Sequence, residues 1–162
     1  MLSVKQSFIL ITTLFVGIYL GTRVYLKFEG GKYEESDIMR NAMGNILIIF
    51  GFLKLVNIGG FVEVFSKYDI IANNIELYGY FYPFLEIMLG IALLKRYRLE
   101  KIYNIIIVIM SISVMSVIAS MSRGVQLRCG CIGSIFHIPL SYVTLSENVV
   151  MILMSLYLKR LL

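Results

Sequence analysis

Ile102–Ser122 reads IYNIIIVIMSISVMSVIASMS, with no charged side chain anywhere in it. A helix rises about 1.5 Å per residue, so roughly 20 mainly apolar residues match the hydrocarbon thickness of a bilayer. Its serines can hydrogen-bond to neighbouring helices instead of to water. The whole chain shares this character: 59% of its 162 residues are hydrophobic and 15% charged, a balance that leaves too little polar surface for a water-soluble domain. The stretch therefore reads as a helix lying in lipid.

Working outward, the cluster Lys95-Arg96-Tyr97-Arg98-Leu99-Glu100-Lys101 separates this helix from a preceding span over Tyr78–Leu94, which carries Pro83 near its start and a lone Glu86. Before that, Phe61–Ile71 alternates apolar and charged residues at near-helical spacing, the pattern of a helix lying in the membrane interface. Gly59-Gly60 closes a further span over Ala42–Ile58, whose one charge is Lys54. A polar connector over Arg23–Arg40 precedes it, and an uncharged stretch over Ser7–Thr22 forms the first span. Thr22-Arg23-Val24 offers no small-residue cleavage pattern, so that span is expected to be retained. On the other side, Arg123–Tyr142 reads as a loop, and Thr144–Leu158 as a last span closed by Lys159-Arg160. The fold class expected is an all-α, polytopic integral membrane helix bundle with five spans, divided into an N-terminal helix and loop over residues 1–40 and a four-helix membrane domain over residues 41–162.

The net charge of +5 does not point to nucleic acid, because the basic residues sit in the connectors and not on one soluble face. With five spans, one side holds Lys5, Lys67, Arg123 and Arg128. The other holds Arg23, Lys27, Lys32, Arg40, Lys95, Arg96, Arg98, Lys101, Lys159 and Arg160. Cytoplasmic connectors carry the excess of Lys and Arg, so the second set is expected inside, and the Arg123–Tyr142 segment outside.

That outer segment contains both cysteines of the chain, as Cys129-Gly130-Cys131. An extracytoplasmic position permits disulfide chemistry. Cysteines one residue apart can bridge when the chain is extended, near the upper part of the allowed Cα separation of about 4.4–6.8 Å. The resulting small ring is strained, and strained disulfides exchange readily. A soft-metal site for copper, zinc or mercury, with Cys129, Cys131 and His137 as ligands, is a second reading, and a membrane scaffold with incidental thiols a third. One pair of cysteines is not a relay, so a redox cycle would have to be completed by a partner protein or by a quinone.

Lys54, Glu86 and Glu147 fall within expected spans, where a central charge costs on the order of 3 kcal/mol on insertion scales. In the expected orientation all three belong to the outer half. Lys54 and Glu86 can pair to hold the bundle together, and Glu147 with Asn148 can bond between helices. Alternatively, Glu147 exchanges a proton with a thiol while Lys54 favours the thiolate.

Several short segments together carry a resemblance: Gly51-Phe52-Leu53-Lys54-Leu55, Gly60-Phe61, Lys67-Tyr68-Asp69-Ile70-Ile71-Ala72, Tyr82-Pro83-Phe84-Leu85-Glu86 with Leu89-Gly90, Cys129-Gly130-Cys131-Ile132-Gly133, Pro139-Leu140-Ser141 and Glu147-Asn148. Over roughly Gly44–Leu158 the chain resembles the MauE family of DoxX-like membrane proteins. The resemblance implies a four-helix core in a bacterial cytoplasmic membrane. It also implies a role beside a thioredoxin-like protein in forming or guiding disulfides of exported client proteins, as in maturation of the methylamine dehydrogenase small subunit. Lys54, Glu86, Cys129, Cys131 and Glu147 occupy the positions that the family's motifs select. Ile132 stands where an aromatic residue is expected after the second cysteine.

Overall fold

A computed structural model describes residues 4–28, 33–69, 71–122 and 140–162 of the chain. Among the described residues there are six helices and no strand: α1 Val4–Phe28, α2 Glu35–Val56, α3 Ile58–Tyr68, α4 Glu76–Leu94, α5 Leu99–Ser122 and α6 Leu140–Arg160. Among the described residues, three stretches, Glu35–Val56, Glu76–Leu94 and Leu99–Ser120, are long and apolar enough to cross a membrane. Large apolar side chains such as Phe81, Phe84, Met88, Met115 and Leu153 point outward from the bundle, where only a lipid environment stabilises them. The protein is an all-α membrane helix bundle.

The helices run further than the charge pattern suggests. The connector expected over Arg23–Arg40 is largely helical, because α1 continues to Phe28 and α2 begins at Glu35. The charges there favour the helix ends they occupy. Lys27 lies in the last turn of α1, and Glu35 and Asp37 in the first turn of α2, each matching the helix dipole. Arg23 Nη2 lies 3.1 Å from Glu35 Oε1, and the Tyr19 hydroxyl donates to the same carboxylate at 2.6 Å. α6 likewise starts at Leu140, inside the expected loop.

Gly59 and Gly60 do not end α2. The helix stops at Val56, and Asn57 takes a non-helical conformation whose side chain accepts from the Gly60 backbone N–H at 3.2 Å, so the glycines form the first turn of α3. Phe61, Val62 and Phe65 of α3 are buried against Tyr82 of α4 and Val117 of α5, while Glu63 and Lys67 face outward. The stretch expected to lie flat on the interface thus packs one face onto the end of the bundle.

α2 and α4 are antiparallel and pack backbone to backbone. A Cβ built on Gly44 would meet the Gly90 carbonyl oxygen at 2.9 Å, and one on Gly51 would meet the Pro83 carbonyl oxygen at 2.9 Å. α5 and α6 are also antiparallel, joined by Asn148 Nδ2 donating to Ser113 Oγ at 2.8 Å and by Lys159 Nζ donating to Asn104 Oδ1 at 2.7 Å. Between the two pairs lies a core of Met43, Leu47, Phe50, Leu93, Tyr103, Ile106, Met110 and Met151. α1 lies outside it, placing Phe15 beside Phe50 and Thr22 within reach of Asn45 Nδ2 at 3.1 Å.

This arrangement gathers the described cations Arg23, Lys27, Arg40, Lys95, Arg96, Arg98, Lys101, Lys159 and Arg160 at one end of the bundle. The α4–α5 turn is tight: Arg96 N donates to Leu93 O and Tyr97 N to Ala92 O, with Arg96 at φ 55°. Glycine is the usual occupant of that helix-ending position. Here Arg96 Nη2 reaches Asp37 Oδ1 at 2.9 Å, tying the turn to the start of α2.

Candidate functional site

The opposite end of the bundle carries the buried polar groups. Here α2 ends, α4 begins, α5 ends and α6 begins. Lys54, in the last turn of α2, cannot leave its ammonium unpaired in an apolar interior. Its Nζ donates to Glu86 Oε1 and, at 2.6 Å, to Glu86 Oε2, so the ammonium straddles the carboxylate. Lys54 is 7% exposed and Glu86 1%.

Aromatic rings complete the surroundings of this pair. Lys54 Nζ lies 5.1 Å from the Tyr82 ring centroid and 5.8 Å from that of Phe61, within cation–π range. Phe65 packs on Tyr82 at 4.8 Å and on Phe61 at 4.9 Å, so α3 covers the ion pair with stacked rings. Tyr82 sits one turn before Glu86 on α4, and its hydroxyl hydrogen-bonds to the Glu86 carboxylate. Pro83, next in sequence, has no N–H to offer the turn below it, and that break lies beside the close approach of Gly51.

Two more buried carboxylates lie nearby. Glu147 of α6 is 4% exposed, beside the Asn148–Ser113 bond that joins α6 to α5. Asp69, which caps the end of α3, is 2% exposed. Its Oδ1 accepts from the backbone N–H groups of Ile71 and Ala72, both at 2.9 Å, and the Ser116 hydroxyl of α5 also reaches it. Asp69 thereby pins the α3–α4 connection to α5. Tyr82 lies close enough to Glu86, Glu147 and Asp69 to feel the charge of all three.

Burial raises the pKa of Asp69 above the ordinary aspartate value, while the Ala72, Ile71 and Ser116 hydrogen bonds act in the opposite direction. The folded protein therefore keeps this proton to a higher pH than the unfolded chain does. The stability it contributes is fully present below the usual aspartate range, near pH 3.9, and is lost as pH rises through the raised native value. Asp69→Asn keeps an acceptor for Ile71 and Ala72 but cannot ionise. It is expected to unfold at an equal or higher temperature at neutral pH and to lose the decline that sets in as pH rises above the ordinary aspartate range. Thermal unfolding of detergent-purified protein as pH is raised tests this.

Sequence reasoning singled out Lys54, Glu86, Glu147, Cys129, Cys131 and His137. Lys54 and Glu86 are in direct contact, and Glu147 shares their end of the bundle. Cys129, Cys131 and His137 lie outside the described residues, so the structure does not bear on the thiol pair or on a soft-metal site built from these three. Among the described residues, no group of three His, Cys, Asp or Glu side chains could hold a metal ion. The described chain stops at Ser122 and resumes at Leu140, the adjoining ends of antiparallel α5 and α6. Both belong to the end that holds Lys54, Glu86 and Glu147. Asp69 and the buried serines of α5 were not singled out as site residues. The one signal in the sequence is an aspartate among aliphatic residues in Tyr68-Asp69-Ile70-Ile71-Ala72.

No curated protein and no solved structure matches the chain. A family model does: Methylamine utilisation protein MauE matches residues 34–159, from just before α2 to the last turn of α6, with α1 left outside. Lys54, Asp69, Glu86, Glu147 and both cysteines fall inside the matched region, and over that span, well beyond half of its length, the chain belongs to the MauE family.

Proposed function

We propose that this protein is a membrane thiol–disulfide factor in which Cys129 and Cys131 exchange with a thioredoxin-like partner, supporting disulfide formation or maturation of exported proteins. The observation that carries this reading is the buried polar cluster around Lys54 and Glu86, which lies at the bundle end where the cysteine-bearing segment leaves and rejoins the helices. Ionisable groups inside an apolar bundle are costly, and they are candidates for proton or charge handling as well as for holding helices together. Family membership agrees with a maturation role.

In this reading the basic end faces the cytoplasm of a bacterial cell and the cysteine segment faces outward, following the bias of Lys and Arg to cytoplasmic connectors. Residues 41–162 form the redox unit and residues 1–40 an added anchor. Lys54 favours the thiolate over the thiol, and Glu147 takes up a thiol proton. Electrons pass between the cysteine pair and the partner's disulfide, or onward to a quinone where no partner disulfide is available.

Thiol labelling in intact cells with a membrane-impermeant maleimide tests the reading. Labelling of Cys129 and Cys131 is expected only after treatment with a reductant, and Cys129→Ser is expected to trap a mixed disulfide through Cys131. Labelling that requires permeabilised cells, or a double Cys129→Ser, Cys131→Ser variant with full maturation activity, would sink it. In the latter case the protein acts as a scaffold. Stoichiometric copper, zinc or mercury in anaerobically purified protein, lost in the same double variant, would establish the soft-metal alternative.

A further inference from the structure

The turn that joins α4 to α5 gathers Lys95, Arg96, Arg98 and Lys101 into one short segment, with Tyr97, Leu99 and a single acid, Glu100, between them. The cations, Tyr97 and Glu100 are all exposed. Of these cations only Arg96 has a carboxylate partner among the described residues, and that partner is shared. Asp37 Oδ1 accepts from Arg96 Nη2 at 2.9 Å and from Arg40 Nη1 at 2.5 Å, so one carboxylate stands against two guanidiniums. Arg40 is 6% exposed, and its Nε has no hydrogen-bond partner among the described residues. Glu100 forms no ion pair with any of them. The turn therefore presents positive charge that the described acids leave unneutralised.

The backbone gives the same indication. Arg96 has φ 55° and Arg98 φ 41°, both in the left-handed region where glycine or asparagine is less strained. The Arg98 carbonyl accepts from Lys101 N at 3.0 Å and from Ile102 N at 3.2 Å, so Arg98 caps the start of α5. Asparagine is among the best residues at that position, and arginine is not. Arginine has no local advantage in either place, so its presence points to what the side chain reaches. Both guanidiniums are held in position: that of Arg96 by Asp37, and that of Arg98 over the Tyr97 ring, 5.6 Å from its centroid.

The surroundings of the turn indicate the ligand. α4 and the Leu99–Ser120 stretch of α5 are each long and apolar enough to cross a membrane, so the turn between them lies at a membrane surface. Beneath it both helices direct apolar side chains outward, Met88 and Ile91 from α4 and Ile105 and Val108 from α5. Fixed positive charge above an apolar wall is complementary to a molecule with an anionic head and hydrocarbon tails. We propose that the α4–α5 turn is a binding site for an anionic phospholipid, with the phosphodiester on Arg96 and Arg98 and the acyl chains along α4 and α5. Guanidinium groups bind phosphate oxygens through paired N–H donors, and Lys95 and Lys101 add attraction at the rim. The site is independent of the thiol chemistry proposed above.

The test titrates the full chain, purified in a neutral detergent, with phosphatidylglycerol or phosphatidylcholine and counts bound lipids by native mass spectrometry. Phosphatidylglycerol is expected to bind at least about tenfold more tightly, since each cation near a lipid surface contributes about fivefold. Arg98→Asn should weaken its binding by about that single-cation factor, and Lys101→Gln, which leaves the strained backbone untouched, by a similar one. In lipid-free detergent, Arg98→Asn should unfold at an equal or higher temperature, because asparagine suits both the left-handed backbone and the helix start. An arginine needed only for the turn predicts the reverse. Lys27→Gln removes an exposed cation from α1 at the same end of the bundle and should leave the lipid preference intact. Equal affinity of the wild type for the two lipids, or an unchanged preference in both Arg98→Asn and Lys101→Gln, would overturn the proposal. So would a loss in Lys27→Gln as large as in Arg98→Asn, the mark of diffuse attraction to the whole basic end. Inorganic phosphate retained by lipid-free protein and lost in Arg98→Asn, without any preference between the lipids, would assign the turn to a free anion instead.

Discussion

Glu86→Ala is expected to be among the most damaging single substitutions in this protein. It would take from the Lys54 ammonium, 7% exposed, the carboxylate that receives two of its hydrogen bonds. Breaking a buried ion pair by removing one partner typically costs about 3–5 kcal/mol, because the remaining charge stays desolvated. The Tyr82 hydroxyl loses its acceptor too, so α4 is disturbed along with α2. Lys54→Ala is expected to be similarly harmful, for the opposite charge. The paired change Lys54→Met with Glu86→Leu should recover most of the loss, since well-packed apolar side chains replace a buried ion pair at little cost. Unfolding of the purified protein, followed by helical circular dichroism during titration with a denaturing detergent, compares the three. If the paired variant is stable and still exchanges thiols at the wild-type rate, the Lys54–Glu86 pair is architectural. If it is stable and inactive, the pair belongs to the chemistry.

The positions that sequence reading found and missed differ in how far their environment depends on distant parts of the chain. The uncharged run over Ile102–Ser122 announces a spanning helix by itself, and α5 runs from Leu99 to Ser122. Lys54 and Glu86 were legible as charges needing partners, because the cost of an isolated charge in lipid is a property of the residue. Helix ends were harder to read. Arg23, Lys27, Glu35 and Asp37 look like loop residues by composition, yet they extend α1 and begin α2, because charges at helix termini pair with one another and with the helix dipole. Asp69 was the least legible. Its burial follows from α3 folding onto α4 and α5, which brings Ser116, forty-seven positions later by number, against it. The amphipathic pattern over Phe61–Ile71 fits a helix lying on lipid as well as one packed on protein, so periodicity alone could not choose.

Gly90→Ala should show how much of this site depends on backbone contact between α2 and α4. A Cβ at position 90 would stand 2.7 Å from the Gly44 carbonyl oxygen, 2.7 Å from Ile48 Cγ1 and 3.2 Å from the Ile48 backbone nitrogen. The Ile48 side chain can move aside, but the Gly44 oxygen and the Ile48 nitrogen belong to helical backbone, so the two helices must separate. Overpacking of this kind typically costs about 1–3 kcal/mol. The gain in helix propensity from replacing glycine with alanine, about 1 kcal/mol, offsets only part of that. Gly17→Ala on α1 provides the control, since a Cβ there would meet nothing within 4 Å, and it should be neutral or mildly stabilising. Gly44→Ala, facing the Gly90 oxygen at 2.9 Å, should behave like Gly90→Ala, and the double variant should cost less than the two singles added together, because one separation of the helices relieves both clashes. That separation also draws Lys54 away from Glu86, one helical turn from Gly90 on α4. Gly90→Ala is therefore expected to slow thiol exchange as well as lower stability. Such a paired loss from a residue whose added Cβ meets Gly44 and Ile48, and not the ion pair, would mean that the close approach of these helices is what holds the Lys54–Glu86 geometry.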